Sequence, residues 1–136
     1  MRIPRSIVNA INANDIDAIR VEIQELVRLD CNSRQPRALP IADMAAARYS
    51  GIYDNDDGRH SSYDSANVTE DDWSRTRAAL RLNFSREKLV ALRGMTFALR
   101  GKGVERFQLP KRSKLMIGLV ALITLIVIAM VISLVW

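Results

Sequence analysis

The sequence is poor in the side chains on which most enzyme and metal chemistry depends. Among its 136 residues there is one cysteine, Cys31, and one histidine, His60. One cysteine excludes a disulfide framework within the chain. One histidine leaves a histidine-based metal site or a Ser-His-Asp triad without support. We therefore expect a non-enzymatic protein that holds neither a metal ion nor a cofactor.

Glycine is also scarce, and no phosphate-binding loop can be built from it. Gly101 and Gly103 stand alone, without the Lys-Ser/Thr pair that such a loop requires. The acidic run DNDDG, residues 54–58, is similar to the start of a calcium loop, but Gly58 falls at the fifth position rather than the sixth. Ser65 stands where that loop needs a glutamate. We interpret the run as a solvated turn.

Charge is divided unevenly along the chain. Residues 1–74 carry 8 basic and 13 acidic side chains, whereas residues 75–114 carry 12 basic and 2 acidic ones. A basic stretch of that strength indicates an anionic surface near it. Because a long apolar segment follows, we interpret that surface as lipid headgroups. Nucleic acid is disfavoured as the partner because the aromatic side chains here are too spread to form a stacking platform.

The apolar segment runs from Leu115 to Trp136 and contains no charged side chain in 22 residues. As a helix it would reach about 33 Å, which is enough for a hydrocarbon core of about 30 Å. A lone segment in lipid can satisfy its backbone hydrogen bonds only as a helix. We predict that residues 110–136 form a C-terminal transmembrane anchor, which would make this a single-pass, tail-anchored membrane protein.

Basic side chains flank this segment on its N-terminal side only. Because basic flanks stay on the cytosolic side, the N-terminal body is predicted to be cytosolic. Six side chains are predicted to contact a surface of anionic lipids: Arg100, Lys102, Arg106, Lys111, Arg112 and Lys114. The secretory pathway, a viral envelope and a bacterial inner membrane all fit such an anchor. A small-residue step from Ala129 to Ser133 would allow a homodimer, and the oligomeric state stays open.

The fold class predicted for the body is all-α, in three segments. Residues 1–34 are predicted to be an amphipathic helical segment, because five apolar residues recur at helical spacing. These are Ile16, Ile19, Ile23, Leu26 and Val27. Residues 35–68 are predicted to be a mobile acidic linker rich in Tyr and Ser. Residues 41–50 could form two helical turns, whereas the residues from Gly51 onward hold too little apolar surface to offset the entropy of ordering.

Residues 69–109 are predicted to be a basic helical juxtamembrane region. Thr69 and Asp72 have the spacing of a capping box at the start of a helix that continues to about Leu82. Ser85 can cap a second helix from Arg86 to Arg100. The second helix has an apolar side, so it could lie on headgroups as an amphipathic helix.

Two motifs in the acidic linker suggest regulation. The run Tyr49-Ser50-Gly51-Ile52 is similar to a YxxΦ sorting signal, in which Tyr49 and Ile52 would fill two pockets of a clathrin adaptor. Hydroxyl side chains beside acids are candidates for phosphorylation, which would deepen the local negative field. These candidates are Ser61, Ser62, Tyr63 and Ser65.

Three functions are compatible with these patterns. We favour a tail-anchored protein whose body recruits or tethers an unidentified cytosolic partner at a membrane. The alternatives are a viral envelope or trafficking protein sorted through its Tyr/acidic motif, and a protein whose basic amphipathic helices perturb membranes. From Tyr49 to Trp136, the order of acidic patch, basic stretch and terminal anchor resembles the small type II tail-anchored envelope proteins of alphaherpesviruses. That resemblance implies the sorting function, although the uninterrupted arginine run of those proteins is missing here.

Overall fold

The computed structural model describes residues 2–104, which form five α-helices and no strand. The helices are α1 (Arg5–Asn12), α2 (Ile16–Asp30), α3 (Ala38–Arg48), α4 (Glu70–Leu82) and α5 (Arg86–Gly101). The all-helical prediction is confirmed for this part of the chain. The predicted anchor at 110–136 lies outside the described residues. Between residues 2 and 104, no helix combines the length and the apolar character needed to cross a bilayer.

Three helices begin at a side-chain cap, and two of these caps, at Thr69 and Ser85, are the ones that the sequence predicts. The Asp15 carboxylate accepts the Ala18 amide, at 2.9 Å, at the start of α2. Thr69 and Asp72 form a complete capping box at the start of α4. The Ser85 hydroxyl accepts the amide of Lys88 at the start of α5. Each cap satisfies a backbone donor that the first turn of a helix leaves unpaired.

A glycine ends α5. Gly103 has φ of +86°, a left-handed conformation that a side chain would disfavour. This lets the Val104 amide donate to the Leu99 carbonyl, at 3.1 Å. The Gly103 amide donates to the Arg100 carbonyl, at 2.9 Å. The two bonds are those of a Schellman motif, which satisfies carbonyls that the last turn would leave free.

One hydrophobic core draws on all five helices. α2 packs against α1, α3 and α4, while α5 packs against α3 and α4. The apolar stripe predicted in α2 faces this core, with Ile19 and Ile23 fully buried. The largest buried side chain is Trp73 of α4, whose Nε1 donates to the Thr96 hydroxyl of α5 at 3.1 Å. This contact joins the two helices of the basic half.

The structure differs from the linker expected over residues 35–68. Its first part is α3, three turns long, which buries Ile41, Ala42 and Ala45. The remainder, residues 50–68, is irregular and is called the acidic loop below. Ile52 and Val68 near its two ends are buried in the core. Few apolar residues are needed here because polar contacts from α2 and α5 hold the loop; its mobility stays a prediction.

Candidate functional site

The two residues of the predicted sorting motif are engaged inside the fold. Ile52 is completely buried. The Tyr49 hydroxyl donates to the Ile11 carbonyl of α1 at 2.7 Å. A clathrin adaptor would have to read both side chains from an extended, accessible chain. Sorting through Tyr49 and Ile52 therefore requires this corner of the fold to open first, and it stays a prediction.

Two of the six predicted membrane-contact residues are described, and both hold backbone carbonyls of the protein. The Arg100 guanidinium donates to the Cys31 carbonyl at the end of α2, at 3.0 Å. The Lys102 ammonium donates to the Val68 carbonyl at 3.1 Å. These contacts tie the C-terminal end of α5 to the body. Arg106, Lys111, Arg112 and Lys114 lie outside the described residues.

The candidate phosphorylation sites have different surroundings. Ser62, Tyr63 and Ser65 are exposed, whereas Ser61 is half-buried and helps to lower the pKa of Asp56. The Tyr63 hydroxyl lies over Gly94 of α5, so close that a Cβ added at Gly94 would come within 2.0 Å of it. The missing side chain at Gly94 is thus what lets Tyr63 rest on α5.

Lys88 of α5 is fully buried, and it holds the acidic loop through a cluster that the sequence analysis missed. Its ammonium donates to the Asp57 carboxylate at 2.6 Å, to Asp56 at 2.9 Å and to the Asn83 side-chain carbonyl at 2.6 Å. The Ser85 hydroxyl adds a bond to Asp56, at 2.7 Å. These five residues are called the Lys88 cluster. Two carboxylates opposite one ammonium supply the pairing that a buried charge requires.

A second cation fixes the beginning of the loop. Arg20 of α2 donates to the Ile52 carbonyl at 2.9 Å and forms an ion pair with Asp54 at 2.7 Å. Asp54 also exchanges two 2.8 Å hydrogen bonds with the backbone of Phe84, between α4 and α5. The loop is therefore attached to α2 at one point and to the α4–α5 turn at another.

The electrostatics of the Lys88 cluster favour structure over catalysis. Ser85 and Lys88 lie close together, as in enzymes that use lysine as the base for a serine nucleophile. Burial lowers the pKa of Lys88, but the hydrogen bonds that its ammonium donates to Asp57 and Asp56 more than offset this, so its pKa is raised. Hydrogen bonds from Ser85 and Lys88 lower the pKa of Asp56. The Lys88 ammonium also donates to the Ser85 hydroxyl, at 3.4 Å, which is the reverse of the bond that a lysine base would form.

A groove lies between the acidic loop and α4. The loop contributes Asp57, Arg59 and His60, and α4 contributes Arg75, Ala78, Ala79 and Leu82. Its volume is about 370 Å³. Leu82 is 90% exposed at its rim, while the two alanines leave room for a close approach. This surface, called the loop–α4 groove, combines an apolar floor with two arginines and can accept a peptide side chain.

No family model, curated protein or solved structure matches the chain. The function is therefore inferred from its own residues.

Asp30, at the end of α2, is a buried acidic side chain. One of its carboxylate oxygens accepts the amides of Arg37 and Ala38, at 2.5 and 2.6 Å, and so caps α3 from outside. Among residues 2–104, nothing hydrogen-bonds to the other oxygen, Oδ1. Burial raises the pKa of Asp30. Across residues 2–104, no group of three His, Cys, Asp or Glu side chains is arranged to hold a metal ion.

Proposed function

We propose that this protein is a non-enzymatic module that segment 115–136 tethers to a membrane and whose helical body recruits a cytosolic protein. The observation that carries the proposal is the 22-residue uncharged segment that directly follows a strongly basic stretch. Such a segment suits a lipid environment, and the basic flank keeps the preceding body on the cytosolic side. The apolar side chains that form the core of the body are buried against one another and need no membrane to cover them.

The two alternative functions receive less support from the geometry. Sorting through Tyr49 and Ile52 needs a buried Ile52 to become accessible. Membrane perturbation by the apolar side of α5 needs Leu89, Leu92 and Leu99 to leave the core, where each is about 2% exposed. Both therefore require local unfolding, which tethering does not.

Deleting residues 115–136 is expected to move the protein from the membrane pellet to the soluble fraction, because the deletion removes the uncharged segment. Cell fractionation followed by a high-salt wash measures this. The matched control replaces the same residues with an unrelated uncharged Leu/Ala helix, which should restore the pellet. The sequons at Asn67 and Asn83 should stay unglycosylated in eukaryotic cells. A truncated protein that still pellets in high salt, or glycan at either site, would contradict the proposal.

We infer that the partner binds in the loop–α4 groove and that it is an acidic peptide or helix with one large apolar side chain. Asp57 shares the Lys88 ammonium with Asp56, and within residues 2–104 Arg59 forms no ion pair, so Arg59 is the cation that the groove offers most directly to a partner. Within residues 2–104, Arg75 forms one ion pair, with Asp71, an exposed contact that is worth little and is easily exchanged. Leu82 offers the apolar contact that an interface centre favours.

Peptides selected from a random phage-displayed library on the full chain in nanodiscs should be rich in Asp and Glu around a Leu, Ile or Phe. A variant combining Arg59→Glu, Arg75→Glu and Leu82→Glu should bind them at least about tenfold more weakly, the effect of losing one strong interface contact. The control is Val21→Glu on α2, where the side chain is 62% exposed and far from the groove in sequence. Equal binding to all three proteins would refute this assignment of the site.

A further inference from the structure

One exposed face of α5 alternates cationic and apolar side chains. Arg86, Val90, Arg93 and Phe97 follow one another at intervals of four, three and four residues, which places them in a line along the helix. Val90 is 44% exposed and Phe97 46%. These four residues are called the outer stripe. The opposite face of α5 contains the buried Leu92, Met95 and Leu99, so the outer stripe is the side of the helix that the core leaves uncovered.

The cations of the outer stripe are held along its surface. The Arg93 guanidinium lies over the Phe97 ring, 5.8 Å from its centre. Within residues 2–104, Arg93 forms no ion pair. Arg86 is anchored by two hydrogen bonds to Asp43 of α3, at 2.8 and 2.9 Å. An arginine beside an exposed aromatic ring suits the boundary between headgroups and acyl chains, where the ring is buried and the cation meets phosphate.

The position of α5 in the chain identifies what this stripe would meet. α5 is the last described helix, and residues 105–114 connect Val104 with the uncharged segment. Ten residues can span at most about 36 Å even when fully extended. A module held at that distance meets the membrane surface at a high effective concentration, so a weak contact suffices. The residues that follow α5 are also strongly basic, which is complementary to anionic lipid.

We propose that the outer stripe of α5 rests on the anionic headgroups of the membrane that holds segment 115–136. Val90 and Phe97 enter the interface, and Arg93 pairs with lipid phosphate. The stripe thereby orients the helical body. Segment 115–136 limits the distance of the body from the membrane, and α5 determines which side of the body faces it. This inference rests on the proposed tethering. The surface of α5 that faces lipid is then the outer stripe. It is not the predicted apolar side of the helix, because that side is buried in the core.

The test uses the full chain reconstituted into vesicles of phosphatidylcholine with or without phosphatidylserine. An environment-sensitive fluorophore is attached to a cysteine at Val90→Cys or Phe97→Cys, with Val21→Cys on α2 as the control; the natural Cys31 is buried. Quenching by a water-soluble quencher and by lipid-attached spin labels is then measured. The labels at 90 and 97 should be shielded from water and quenched from the lipid in anionic vesicles, while the label at 21 stays accessible to water.

Arg93→Glu should lower the ratio of molecules with α5 on the membrane surface to molecules with α5 in solvent about 30-fold. The reason is that the charge near the anionic surface changes by two units, the equivalent of about 2 kcal/mol. Arg81→Glu on α4 is the matched control and should shift this ratio far less. Flotation of the vesicles separates the two proposals. A chain that does not float overturns both. If it floats but the labels at 90 and 97 are as accessible to water as the label at 21, the stripe proposal fails and the tether stands. Shielding from water without quenching by the lipid-attached spin labels indicates a protein contact and also overturns the lipid assignment.

Discussion

Replacing Lys88 with methionine is expected to release the acidic loop and to lower the free energy of unfolding by about 3 kcal/mol. Methionine fills the same space, so the loss is that of the buried ammonium and its carboxylate partners. Breaking a fully buried ion pair costs about 3–5 kcal/mol, and the lower end applies because Asp57 can be hydrated once it is unpaired. Backbone amides over residues 52–60 should exchange their hydrogens faster. Urea unfolding followed by Trp73 fluorescence measures the stability, and every variant carries Trp136→Phe so that Trp73 alone is observed.

The matched control is Arg75→Met, which removes a cation from the exposed pair with Asp71 and should cost less than about 1 kcal/mol.

Acidic pH should destabilise the acidic loop in the same way as Lys88→Met. Hydrogen bonds from Ser85 and Lys88 lower the pKa of Asp56, and those from Lys88 and the Arg59 amide lower the pKa of Asp57. The stability that these carboxylates contribute is therefore present above the ordinary pKa of 3.8 and is lost as the pH falls through the lowered values. If Lys88→Met and Arg75→Met behave alike, the Lys88 cluster does not hold the loop.

The largest loss of stability is expected for Trp73→Ala. Trp73 is 1% exposed, and large-to-small changes of a buried Trp cost about 3–5 kcal/mol. A domain of this size loses about 4–8 °C of Tm per kcal/mol, so the Tm should fall by on the order of 20 °C. Circular dichroism of the full chain in detergent micelles measures the melt.

Two comparison variants locate the cause of that loss. Trp73→Phe should lose less than half as much, because a ring still fills the site and the Thr96 hydroxyl keeps its bond to the Leu92 carbonyl, at 2.8 Å. Leu82→Ala, at a 90% exposed position, should change the free energy of unfolding by less than about 0.5 kcal/mol. A melt for Trp73→Ala close to that of Leu82→Ala would show that Trp73 is not central to the core.

The helices of the body could be predicted from the sequence because their signals are local. The Thr69/Asp72 capping box, the Ser85 cap and the apolar spacing of α2 each lie within a few residues of what they determine. Phe97 illustrates the limit of such patterns. It is a large apolar side chain on the same helix as the buried Leu92 and Leu99, and only the packing of α3 and α4 against α5 shows that it stays exposed.

The Lys88 cluster and the course of the acidic loop could not be predicted, because they depend on contacts about thirty residues apart in the sequence. By spacing alone, Lys88 is one more charge on a basic helix. A signal was present, since Lys88 stands one turn before the buried Leu92 and on the same face of the helix. The acids of the DNDDG run, interpreted as solvated, are the partners that make its burial possible.

Mechanical force on the chain beyond Val104 would enter the body at the end of α5. Three hydrogen bonds would resist this force: Val104 to the Leu99 carbonyl of α5, Arg100 to the Cys31 carbonyl at the end of α2, and Lys102 to the Val68 carbonyl of the loop. These bonds connect three separate parts of the fold. A pull would therefore be shared as shear among α2, α5 and the loop, instead of peeling α5 away one turn at a time.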